Sequence, residues 1–414
     1  MSILTDKSKY KKRIIDKTIE DYLKVSGAIC VEGPKWCGKT WASAFHSNSE
    51  FLVGDPANNF NNRKIAELNP SLILQGDAPR LIDEWQEVPP IWDATRAEVD
   101  KRHEKGQLIL TGSSTPKKKG IMHSGSGRIV KIRMNTMSLY ESDDSTGNIS
   151  LFDLCNGVFE DQLLEEVSLE KLANLIVRGG WPGALSLDSS DAQLIAQQYI
   201  TAVLEDDATR IDGVERDRNK LERLLKSLAR QESTTASASA IQRDVSEFEQ
   251  LDISRPTLAN YLDVFDRLFL TDNQPPFAPS VRSSQRLKQA VKRHFCDPSL
   301  TAAILRIGPE ALLYDLKTLG FLFEALCERD LRIYAESFGG NLFHYQDYKN
   351  QEIDFISEYT NERSLSEKPA VPARSSISFA IDPSRLEKYI LESNDKSDKI
   401  DVLYNVVTDS VGNR

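Results

Sequence analysis

The residues best placed to do chemistry begin at Gly33-Pro34-Lys35-Trp36-Cys37-Gly38-Lys39-Thr40, which fits the spacing G-x-x-x-x-G-K-[ST]. A loop of this pattern turns successive backbone N–H groups inward, and such a concavity suits phosphate oxygens. A helix starting near Gly38 would point its positive end at the same place. Lys39 then reaches the β and γ oxygens of a nucleoside triphosphate, and the Thr40 hydroxyl is a ligand for Mg2+. The expected cofactors are therefore ATP and Mg2+. By itself the pattern arises by chance, so its surroundings decide.

Three further groups supply those surroundings. Leu81-Ile82-Asp83-Glu84 reads as an apolar strand ending in two carboxylates. After a phosphate loop, Asp83 is expected in the Mg2+ shell and Glu84 beside the attacking water. Leu108-Ile109-Leu110-Thr111-Gly112-Ser113-Ser114 is a strand ending in hydroxyls. These suit a polar sensor of the γ-phosphate or the water, with Thr111 the first choice and Ser113 the second. Arg128, in Gly125-Ser126-Gly127-Arg128, precedes another apolar run. Two readings stay open for it: an arginine finger for a neighbouring subunit's γ-phosphate, or a surface arginine.

The elements that must hold these residues follow from periodicity. Residues 1–24 carry Ile14, Ile15, Ile19, Tyr22 and Leu23 at helical spacing. Short apolar runs at 28–32, 51–53, 81–82, 107–110 and 129–132 alternate with helix-forming stretches, which implies a parallel sheet with crossover helices. The strand from Leu108 is expected between the phosphate-loop strand and the acidic strand. A polar stretch at 142–148 suggests a boundary. Helices are expected over 163–184, 191–207, 219–231 and 257–270, and Pro275, Pro276 and Pro279 punctuate a linker. Beyond it, a helix is expected over 314–334 and strands near 342–345, 352–357, 377–381 and 400–407.

The segments GPKWCGKT, LIDEWQEVPPIWDATRAEVD, LILTGSSTP, HSGSGRIVKIRMNTMSLYES and GGWPGAL together resemble a bacterial and archaeal family of predicted AAA+ ATPases. The resemblance extends to about Phe355. It implies an α/β protein in three parts: an AAA+ ATPase domain over 1–141, a helical lid and winged-helix region over 142–280, and a C-terminal domain over 281–414 similar to the PD-(D/E)xK nuclease fold. Within the middle part, Leu258, Tyr261, Leu262, Phe265 and Phe269 form a core stripe that leaves Arg255, Thr257 and Asn260 outward. Asp263 and Asp266 on the same helix would repel a DNA backbone, so protein packing is weighed equally with DNA reading. In the last part, Glu324 and Asp354 stand where nuclease-like relatives carry carboxylates. Ala380 and Asp382 stand in place of the strand Glu and Lys, so a degenerate fold without metal-dependent nuclease activity is expected.

A formal net charge of −10 over 414 residues argues against coating nucleic acid by bulk electrostatics. The stretch 281–294 nevertheless holds Arg282, Arg286, Lys288, Lys292 and Arg293 without an acid. It reads either as a phosphate-binding face or as a solvated surface. No run approaches the roughly 20 apolar residues that span a bilayer. Five cysteines without metal spacing suit a reducing compartment, so a cytoplasmic location is expected. The leading expectation is a Mg2+-dependent ATPase acting as a conformational switch. The alternative is a nucleic-acid-binding or nuclease-related module regulated by ATP. Expected partners are DNA or protein, through the winged helix and 281–294, and further copies of the chain.

Overall fold

The computed structural model describes residues 7–116, 121–156, 167–277, 290–346, 352–360 and 374–379. They divide into two compact units. The first takes the described residues of Met1–Met137 together with Glu205–Arg216 and Asp263–Leu270; the second takes those of Ser138–Leu204, Asp217–Leu262 and Thr271–Arg414. This division differs from the three consecutive parts expected from the sequence, because two later segments pack with the N-terminal sheet.

The first unit is built on five strands: β1 (Ala28–Glu32), β2 (Ser49–Leu52), β3 (Arg80–Asp83), β4 (Leu108–Gly112) and β5 (Ile129–Arg133). Their order is β2-β3-β4-β1-β5, every pair parallel. The strand from Leu108 therefore lies between the phosphate-loop strand and the acidic strand, as expected. Successive side chains of a strand point to opposite faces, so each face of the sheet has its own core. Ala28, Cys30, Ile82, Leu108 and Leu110 pack with Ala66 of α3 (Ala57–Leu68) and with Ile91, Trp92 and Val99 of α4 (Ile91–Arg102). Ile29, Val31, Leu81, Ile109 and Ile132 pack with Ile19 of α1 (Ile15–Val25) and Ala42 and Ala44 of α2 (Lys39–Phe45). Covering both faces explains the near-continuous apolar runs of these strands.

The second unit is mainly helical. It contains α5 (Leu151–Cys155), α6 (Leu169–Arg178) and α7 (Ser189–Ala202). The short α8 (Ala208–Arg210) belongs to the first unit. There follow α9 (Arg218–Arg230), α10 (Ala238–Phe248) and α11 (Arg255–Arg267), whose residues from Asp263 belong to the first unit, then α12 (Pro298–Leu305), α13 (Pro309–Tyr314) and α14 (Leu316–Ser337). Strands β6 (Asn341–Gln346), β7 (Glu352–Thr360) and β8 (Arg374–Phe379) form an antiparallel sheet. Leu172, Ile176, Ala302, Leu322, Leu326, Leu342 and Phe355 share one core.

Several expectations need correction. The helix expected over 314–334 is α14, which begins at Leu316, where the Asp315 side chain caps it by accepting from the Thr318 N–H. Helix α10 was not anticipated, because its Ser/Ala-rich start reads as loop; the Ser237 hydroxyl caps it by accepting from the Ala240 N–H. Helix α11 starts two residues before the expected 257, with Ser254 Oγ accepting from the Thr257 N–H. Of the expected stripe, Leu258, Tyr261, Phe265 and Phe269 are buried, together with Val264, while Leu262 is only half-buried. The strand expected near 400–407, Ala380 and Asp382 lie outside the described residues.

Candidate nucleotide site

The phosphate-loop segment leaves the C-terminal end of β1 and turns into α2. Three of its residues have positive φ, Gly33 at 159°, Trp36 at 63° and Gly38 at 103°, and Gly38 begins the helix from the left-handed region that glycine adopts at no steric cost. A Cβ on Gly33 would lie 2.0 Å from the Met134 carbonyl oxygen, so the loop passes too close to the chain after β5 for any other residue. That packing is fixed by Arg13, which the sequence reading missed. Its buried guanidinium donates to the Cys37 carbonyl at 2.7 Å and to the Asn135 and Thr136 carbonyls at 2.9 and 3.1 Å. Lys39 is buried and donates to the Pro34 carbonyl at 2.7 Å. Trp36 is exposed at the loop's crest.

The acidic strand end lies beside the loop. The Asp83 carboxylate accepts from Thr111 Oγ1 at 2.6 Å, and the nearby Thr40 hydroxyl also favours its charged form. Burial pushes Asp83 above its ordinary value and the Glu84 charge adds to this, opposed by the two threonine hydroxyls and Lys39. A buried carboxylate short of positive charge and already touching a hydroxyl is the hard-oxygen donor set that suits Mg2+. Thr111 does a second job. Its Oγ1 accepts from the Glu84 N–H at 3.0 Å, which helps hold Glu84 at φ 59°, an unfavourable backbone for a residue with a Cβ. Thr111 is thus fully buried between the two acids. Ser113 Oγ donates to Glu84 Oε2 at 2.8 Å. Gln86, another residue the sequence reading missed, donates from Nε2 to the same oxygen.

Two more charged pairs frame the site, both from a segment distant in sequence. Lys35 of the loop pairs with Asp207, and Arg210 pairs with Glu87 at 2.6 Å, just beyond the acidic strand end. Arg216 anchors this segment by pairing with Asp212 at 2.8 Å and donating to the Ala208 carbonyl.

Arg128 is not brought to this group. It precedes β5, and β5 runs parallel to β1, so Arg128 stands at the edge of the sheet opposite the phosphate loop. Five residues of strand separate the two edges, about 16 Å. There its Nε donates to Asp100 at 2.8 Å on a surface where its side chain is 44% exposed.

The basic stretch at 281–294 also needs correction. Arg282, Arg286 and Lys288 lie outside the described residues. Lys292 is not on a basic surface: its side chain is 2% exposed and its ammonium pairs with Glu324, Glu352 and Asp354. Antiparallel pairing of Gln274 with Lys292 and Thr271 with Phe295 turns this residue inward.

Residues 25–142 match the model of a family described as an AAA domain, and residues 169–311 match one described as a domain of unknown function. The chain is 23% identical over 334 residues to uncharacterized proteins of Mycobacterium bovis and Mycobacterium tuberculosis, covering 80% of this chain and 67% of each relative. Among solved structures, a Walker-type ATPase of Pyrococcus abyssi aligns with a TM-score of 0.45 at 12% identity, over 72% of this chain and 97% of that one. The matched segment 25–142, similar to an AAA domain, holds the five parallel strands and the loop 33–40. No helix among the described residues is long and apolar enough to cross a membrane.

Proposed function

We propose that this chain is a Mg2+-dependent ATPase in which binding and hydrolysis of ATP drive a conformational switch. The observation that carries the reading is the acidic strand end beside the phosphate loop: Asp83 is bonded to Thr111, its charge is favoured by Thr40 and Lys39 of the loop, and Glu84 is fixed next to it. Loop N–H groups and Lys39 would take the phosphates. Thr40 and Asp83 would hold Mg2+, which when bound offsets charge on the phosphate oxygens. Glu84 would orient and polarise the attacking water, with Ser113 and Gln86 fixing its carboxylate. Thr111 is a positioning residue for both acids rather than a group that touches nucleotide.

The switch is supported by the pairs Lys35–Asp207 and Arg210–Glu87. One segment thereby grips the two loops on which a nucleotide would act, so a change at either loop is felt at Glu205–Arg216. Arg128, remote from its own chain's site, would act only on a neighbouring copy. Turnover per subunit that rises with protein concentration, and does not rise in Arg128→Ala, would support that role; flat turnover in both would refute it.

The test of the ATPase reading is Glu84→Gln. The variant should bind ATP as the unsubstituted protein does and turn over about 10²–10⁴-fold more slowly, the usual loss for a general base. Normal turnover would remove Glu84 from the mechanism.

A further inference from the structure

Three carboxylates of the second unit converge on one ammonium. Lys292 Nζ lies 2.5 Å from Glu324, 2.7 Å from Glu352 and 2.7 Å from Asp354. The three acids come from helix α14 and strand β7, and the lysine from the short ladder opposite Gln274. Gln274 also donates from Nε2 to the Asp354 carbonyl at 2.9 Å, which fixes the ladder to β7. Glu324 and Asp354 side chains are 3% and 6% exposed, whereas Glu352 stands at the rim at 37%.

An ordinary buried ion pair matches charge for charge, because an unpaired buried ion is costly. Here, among the described residues, three acids face the one ammonium. Burial pushes Glu324 well above the usual carboxylate range, with Asp354 and Glu352 adding and Lys292 opposing. Lys292, which burial alone would discharge, is kept protonated by the same three acids.

We infer that Lys292 is the built-in cation of a three-carboxylate site, its ammonium holding the position that a divalent ion would otherwise take. The site keeps its carboxylates together without metal, and it shuts metal ions out as long as the lysine is charged. This inference is independent of the ATPase reading, since no residue is shared.

The experiment is calorimetric titration of Ca2+ and Mn2+ into nucleotide-free full-length protein, comparing the unsubstituted chain with Glu352→Gln, Lys292→Met and Lys292→Met/Asp354→Asn. Lys292→Met should gain one divalent site per chain, and the added Asp354→Asn should abolish it. The unsubstituted protein and Glu352→Gln should give the same isotherm. A folded Lys292→Met without a new site would overturn the inference. So would a site in the unsubstituted protein that Glu352→Gln weakens, because an ion would then be entering beside the lysine. Glu352 is at the rim, so that pair of proteins can still overturn the inference even if Lys292→Met fails to fold.

Discussion

Each unit of the chain contains a buried lysine near carboxylates, and the two are wired in opposite ways. In the first unit Lys39 donates to a carbonyl of its own loop, while Asp83 and Glu84 are satisfied by hydroxyls and an amide. Lys39 and the two acids are thus held by neutral partners rather than by one another, which on the proposed reading would leave both available to a ligand. In the second unit Lys292 binds three carboxylates directly. Its charge is spent within the fold. The same residue types thus make a receptive site in one place and a closed one in the other, and the difference lies in what neutral groups stand between them.

The comparison is broken most easily by stability. Lys292→Ala leaves buried acids without a cation and should cost about 3–5 kcal/mol, measured by urea denaturation. Lys39→Ala removes only a hydrogen bond to a carbonyl and should cost about 1 kcal/mol. Equal losses would mean the two lysines are wired alike.

A smaller effect sharpens the electrostatic side. The pKa of Asp83 is raised in the folded chain above 3.8, its ordinary value. A carboxylic acid shifted upward stabilises the fold fully below its unfolded pKa and loses that contribution as pH rises through the folded value. At neutral pH without metal, its buried charge is therefore a cost. Asp83→Asn should melt higher than the unsubstituted protein at neutral pH, with the two curves converging as pH falls below 3.8. A lower melting point for the variant at neutral pH would show that the local hydroxyls and Lys39 outweigh burial.

The smallest effect belongs to the pair at the edge of the site. Lys35 is 34% exposed, so solvent screens its pairing with Asp207. Asp207→Asn should cost less than about 1 kcal/mol yet alter how protease sensitivity within Glu205–Arg216 responds to ATP. An unchanged response would separate this segment from the switch.

What was legible in the sequence was whatever is local. The phosphate loop, the Asp83-Glu84 strand end and the Thr111 strand each declare themselves within a few residues, and parallel topology follows from their alternation with helices. Arg13, Gln86, Asp207 and Arg210 were not legible, because their roles depend on partners that the fold alone brings near. Lys292 was misleading for the same reason. In one dimension it sits among basic residues without an acid, while its three acids lie 32, 60 and 62 positions further along. The side of the sheet on which Arg128 falls was implicit in strand direction, since a residue before a parallel strand cannot share the edge of a loop that follows its neighbour.

The central claim is that the first unit is a receptive Mg2+–ATP site built around an uncancelled Lys39. Its most direct test is a titration of ATP, with and without Mg2+, into the unsubstituted protein and Lys39→Ala. The account predicts saturable binding of ATP, tightened by Mg2+, that Lys39→Ala abolishes while the variant remains folded. Undiminished binding by a folded Lys39→Ala would contradict it.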